Sequence, residues 1–98
     1  MRSVIVRYKT APEHADENKR LVRAVFAALA SENPAGFRYT TFVHDDGVSF
    51  VHVATMDDAG QNPLSTLPAF AAFQKDIKAR CVEPPVVSEV SIVGSYAP

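Results

Sequence analysis

Two histidines bracket a short acidic turn in the stretch VHDDGVSFVHV, His44 before it and His52 eight positions later. A neutral imidazole can act as a general base, taking a proton from an acidic hydroxyl and leaving an anion behind. An arginine on the same surface could stabilise that anion, which makes Arg38 the natural companion of His52. Metal binding is the other chemistry of paired histidines. Here His44, His52 and the turn aspartates lack a well-placed third ligand, so no metal site is expected. The chain carries no Gly-rich phosphate loop, no H-E-x-x-H, no G-x-S-x-G and no C-x-x-C.

Turn geometry decides whether these groups meet. If His44-Asp45-Asp46-Gly47 is a type I turn with Gly47 left-handed in a bulge, His44 lies opposite Val48. Arg38, Thr40, Phe42 and His44 then share a face with Val48, Phe50, His52 and Ala54. If Asp46-Gly47 instead forms a two-residue type I′ turn, the pairing shifts and the histidines part onto opposite faces. The first geometry is preferred, because it spares Asp46 a positive φ. In that register His52 sits mid-strand among Arg38, Thr40, Phe42 and Phe50, an apolar surface with a few converging polar groups, as in a small-molecule pocket. A competing reading has His52 hydrogen-bonded within the sheet or a dimer interface. Tyr39 falls on the other face, toward such an interface, and His44 and His14 are expected at the surface.

The elements that position these residues follow from periodicity. SVIVRYK (3–9) is β-branched and aromatic and predicts a strand. Thr10 and Glu13 have capping-box spacing, and Val22, Val25, Phe26 and Leu29 form an apolar stripe with Asn18 on it, predicting a helix over 11–32. Asn33-Pro34 and Gly36 end it. FRYTTFVH (37–44) and VSFVHVAT (48–55) predict the hairpin. After a polar loop, DDAGQNP, a second helix carries Leu67, Phe70, Phe73 and Ile77 inward, with Cys81 one turn beyond. Phe70 and Phe73 are core residues that would also wall any cavity under that helix. Lys75, Lys78 and Arg80, interrupted by Asp76 and Glu83, read as a solvated face. Pro84-Pro85 stops the helix, and VVSEVSIVGSY supplies a fourth strand.

The order β-α-β-β-α-β predicts one α+β, ferredoxin-like domain over 1–98, a four-stranded antiparallel sheet with both helices on one face. A sheet with one wet face should alternate cleanly between apolar and polar residues. Here Val4, Val6 and Tyr8 oppose Ile5, and Val86, Val90 and Ile92 oppose Val87 and Val93, so both faces are apolar. Covering roughly 600 Å² of such surface would contribute about 15 kcal/mol before ordering costs. A homodimer packed sheet on sheet is expected.

Composition narrows the partners further. Of 98 residues, 47% are apolar, more than so small a core requires, while ten basic and eleven acidic residues give a net charge of −1 without blocks. No basic stripe is available for phosphates, so nucleic acid is not an expected partner. No apolar run approaches the ~20 residues of a membrane span, and the opening residues, SVIVRY after Met1 and Arg2, are expected to form a strand rather than a secretory leader. Cys81 is the single cysteine, which points to a reduced, cytoplasmic setting.

With these elements in place the chain resembles the dimeric α/β-barrel superfamily, most closely its antibiotic biosynthesis monooxygenase-like branch. The likeness spans nearly the whole order of elements. It sharpens in LPAFAAFQKDIKARCVEPPVV, where Phe70 and Phe73 stand as F-x-x-F, and in the hairpin GFRYTTFVHDDGVSFVHVAT. The resemblance implies a homodimer with an eight-stranded barrel and a cavity between sheet and helices for a small hydrophobic or aromatic ligand. It also implies oxygenase activity on aromatic or quinol compounds, without metal or organic cofactor. Ala54 and Met56 stand about where that branch often has Glu and Trp, and Leu64-Ser65 where it has a helix His. No catalytic residue is therefore carried over, and haem, which some members of the superfamily bind, is not expected. His52 is the best catalytic candidate, with Arg38, Thr40, Phe42, Phe50, Phe70 and Phe73 around it. A non-catalytic binding or structural dimer is the alternative.

Overall fold

The protein is described by a computed structural model covering residues 1–58 and 60–98. Position 59, within the loop expected over 57–63, lies outside the described residues. The chain runs β1 (Arg2–Thr10), a 3-10 turn (Pro12–His14), α1 (Ala15–Glu32), β2 (Phe37–Val43) and β3 (Ser49–Met56). A second 3-10 turn (Pro63–Thr66), α2 (Pro68–Gln74), α3 (Ile77–Arg80) and β4 (Cys81–Val90) complete it. The four strands form one antiparallel sheet in the order β2-β3-β1-β4. This is the expected ferredoxin-like α+β arrangement.

Local chemistry accounts for the boundaries, with some departures from expectation. Thr10 is not a helix cap. It ends β1 fully buried, and its hydroxyl donates to the Val48 carbonyl at 3.4 Å. α1 ends where Asn33 turns left-handed (φ 49°) and donates its N–H to Leu29 O, a polar αL cap. The second helix is not continuous. Asp76 adopts φ 62°, which breaks it into α2 and the single turn α3. β4 starts earlier than expected and includes Pro84-Pro85, tolerable because β4 is an edge strand with one side free of ladder bonds. Ile92 and Val93 lie beyond the strand and are exposed.

α1 and α2 cover one face of the sheet. There Tyr8, Phe50, Val22, Val25, Leu64, Leu67 and Phe73 form the buried core, with Phe26, Phe37, Tyr39, Phe70 and Ile77 packed around it. Ile5, Val51, Val53, Phe42, Val86 and Val90 lie on the opposite face, where no helix packs. Phe42 is 56% and Val86 62% exposed.

Candidate functional site

The hairpin register corrects the preferred expectation. Thr41 pairs with His52, Tyr39 with Ala54 and Phe37 with Met56. Beyond the strand ends the His44 N–H donates to Ser49 O, and the four residues Asp45 to Val48 close the turn above that bond, with Gly47 N–H donating to His44 O, both at 2.9 Å. The Asp46 carboxylate fixes this length. Its Oδ1 accepts the amides of Val48 and Ser49, its Oδ2 accepts the Ser49 hydroxyl, and these bonds hold its pKa down to about 2. Gly47, at φ 77°, supplies the one left-handed position. The strands thus meet in the register expected of a two-residue turn, but through a longer connection. His44 and His52 fall on opposite faces.

That shift moves Arg38, Thr40 and Phe42 to the face away from the helices, so they do not surround His52. Phe50, Phe70 and Phe73 do lie on its side. Phe50 is 2% exposed and stacks on Tyr8 at 5.3 Å, and the Phe73 ring lies 5.4 Å from the imidazole. The neighbours that replace Arg38, Thr40 and Phe42 are Tyr8, Tyr39 and Thr41. Tyr39 is not at an uncovered interface. It stacks on Phe26 at 5.2 Å, and its hydroxyl lies 2.5 Å from His52 Nδ1.

A polar chain runs through this core. Arg80 Nε donates to Asn18 Oδ1 at 3.3 Å, and Asn18 Nδ2 donates to Tyr8 Oη at 2.8 Å. Tyr8 Oη is 2.7 Å from His52 Nε2, and His52 Nδ1 meets Tyr39 Oη and, at 3.1 Å, Thr41 Oγ1. Arg80 is not on a solvated face. The break at Asp76 turns it inward to 6% exposure, where it donates to the Phe73 and Lys75 carbonyls and lies over the Phe73 ring. A guanidinium at those carbonyls also offsets the negative end of the α2 dipole. Among the described residues no buried side-chain nitrogen or oxygen lacks a partner.

Burial sets the protonation states. His52 is 4% exposed, and desolvation pulls its pKa down to about 4, so the ring is neutral near pH 7. Desolvation pushes Tyr39 up to about 12 and raises Tyr8 further, with the Asn18 hydrogen bond only partly opposing it. Both phenols are therefore protonated.

Beside this network lies a cleft of about 560 Å³ between the helix-covered face of the sheet and α2. Val4, Val6, Ala54, Leu64, Phe70, Phe73 and Ile77 give it apolar walls, and Pro85 and Val87 of β4 form its lip. Tyr8, Tyr39 and His52 converge on it, while Arg2, Asn62 and Gln74 add polar atoms elsewhere on the lining. The Asn62 carboxamide oxygen is taken by the Leu64 amide at 3.0 Å. Among the described residues no three His, Cys, Asp or Glu side chains gather as a metal site. Both nitrogens of His52, the one imidazole among the described lining residues, are held by tyrosines and a threonine, so neither is free to ligate a haem iron.

Asn18 left a signal in the sequence, an amide on an apolar helical stripe. Tyr8 and Arg80 left none, because a strand tyrosine and a helix-end arginine are ordinary at the surface.

No family model matches the chain, and no curated protein does. Solved structures do. One crystal structure, of an antibiotic biosynthesis monooxygenase, superposes with a TM-score of 0.76 at 21% identity, over 96% of this chain and 100% of the other. A variant of SnoaB, a cofactor-independent oxygenase from Streptomyces nogalater, matches with a TM-score of 0.70 at 17% identity, over 96% and 94%. A protein of unknown function from Nitrosomonas europaea gives 0.72 at 16%, over 99% and 93%. The chain therefore has the fold of the antibiotic biosynthesis monooxygenases along nearly its full length.

Proposed function

We propose that this protein is a homodimer that binds a small hydroxylated aromatic or quinone-like compound in the cleft under α2 and oxidises it with molecular oxygen. The observation that carries this reading is the cleft itself: apolar walls around a volume of about 560 Å³, with Tyr8, Tyr39 and a neutral His52 on its lining. The likeness in fold to a cofactor-independent oxygenase supports the same chemistry. Such a reaction needs no outside reductant. A phenol and O₂ give a quinone and water, the substrate supplying all four electrons and one of the two oxygen atoms leaving in the water. The task left to the protein is to hold the substrate oxygen as an anion, which a hydroxyl donor in a dry cleft can do.

The second copy is expected against the uncovered sheet face, where Phe42 and Val86 stand exposed beside Ile5, Val51 and Val53. Among the described residues no helix is long and apolar enough to cross a membrane. The single cysteine, Cys81, suits the reduced cytoplasm.

One observation favours a second reading, binding without turnover. Both nitrogens of His52 are already engaged, so it cannot take a substrate proton without breaking a bond to Tyr8 or Tyr39. Oxygen uptake separates the two. Uptake with naphthol-type compounds that is lost in His52→Leu and Tyr39→Phe supports the oxygenase. Binding without uptake identifies a ligand carrier, and neither binding nor uptake overturns both.

A further inference from the structure

We infer that Arg80 is a positioning residue that fixes the direction of every hydrogen bond in the buried chain, so that Tyr39 presents its hydroxyl proton to the cleft and selects ligands by an acceptor oxygen. The argument is one of donors and acceptors. A guanidinium only donates, so the atom of Asn18 facing Arg80 Nε must be the carbonyl oxygen. The Asn18 NH₂ is then turned to Tyr8, whose oxygen accepts at 2.8 Å. With that contact filled by a donor, the Tyr8 proton goes to the polar atom left beside it, His52 Nε2 at 2.7 Å.

A neutral imidazole carries one N–H, so an accepting Nε2 leaves the proton on Nδ1. Nδ1 donates to its nearer neighbour, Tyr39 Oη at 2.5 Å, with Thr41 Oγ1 a longer secondary contact. Tyr39 therefore spends a lone pair on His52 and keeps its own proton for whatever occupies the cleft it lines. A carbonyl or phenolate oxygen satisfies that proton, whereas a neutral hydroxyl offering its hydrogen meets a donor. The ligand half of this inference rests on the cleft-binding reading above; the tautomer half does not.

Asn18→Asp tests it with almost no change of shape. A carboxylate only accepts, so the Tyr8 hydroxyl turns toward it, His52 Nε2 becomes the donor, Nδ1 the acceptor, and the Tyr39 proton is drawn inward. Long-range ¹H–¹⁵N spectra of the imidazole should show Nδ1–H in the wild type and Nε2–H in this variant. Arg80→Lys, which keeps a donor, should retain Nδ1–H, and Arg80→Met should give a mixture. α-Tetralone, an acceptor, should bind the wild type about tenfold more tightly than α-naphthol, and the order should reverse in Asn18→Asp. Nε2–H in the wild type, or no change in Asn18→Asp, overturns the relay. A flipped tautomer with unchanged ligand preference overturns the selectivity. If neither probe binds, the cleft-binding reading and the selectivity fall together, and the spectra still decide the relay.

Discussion

The two faces of the sheet are built from the same four strands and solve opposite problems. On the helix side, polar atoms are buried and every one of them among the described residues is paired, through a chain from Arg80 to Tyr39. On the other side apolar side chains stand partly in solvent, Phe42 and Val86 more than half exposed and Val90 over a third, among polar neighbours such as Arg38 and Thr40. Burying polar groups is costly unless each finds a partner, and leaving apolar groups in water is costly unless something covers them. The first face answers within one protomer. The second would be answered by the partner copy proposed above.

The largest break in this contrast should come from Arg80→Met, which strands Asn18 Oδ1 and two carbonyls inside the protein. A loss of about 4 kcal/mol in urea unfolding is expected. Acid should weaken the same face by a comparable route. The unfolded histidine takes up a proton near pH 6.5, while folded His52 stays neutral down to about pH 4. Its contribution is complete above pH 6.5 and falls as pH drops toward 4, by on the order of 3 kcal/mol. His52→Leu should flatten that limb of the stability–pH curve, and an unchanged limb would remove His52 as its cause.

On the uncovered face, Val53→Lys places a charge between Ile5 and Thr40 at the centre of the proposed dimer interface. Sedimentation should show dissociation at least about 100-fold easier with the secondary structure intact. A wild type that sediments as a single chain would remove the dimer. The smallest effect is expected at the turn that sets both faces. Gly47→Ala forces a side chain onto φ 77° and should cost about 1 kcal/mol in thermal or urea unfolding.

Much of the covered face was legible beforehand. The stripe of Val22 and Val25, the core role of Phe73 and the placing of His52 mid-strand all follow from periods of 3.6 and 2. Its polar partners were not. Sequence spacing assumes an unbroken helix and so places Arg80 on a solvated face, whereas the break at Asp76 turns it inward. The turn preferred on backbone strain alone puts Arg38, Thr40 and Phe42 on the His52 surface, whereas the observed hairpin puts them behind it.

The sequence by itself determined the order of elements, the ferredoxin-like sheet and its two apolar faces, because those depend on local periodicity and on how few helices there are to cover strands. Only the tertiary structure decided which residues meet His52. In a strand of period two a one-residue change of register exchanges the faces, and what selected the register is a carboxylate, Asp46, closing three hydrogen bonds across a four-residue turn.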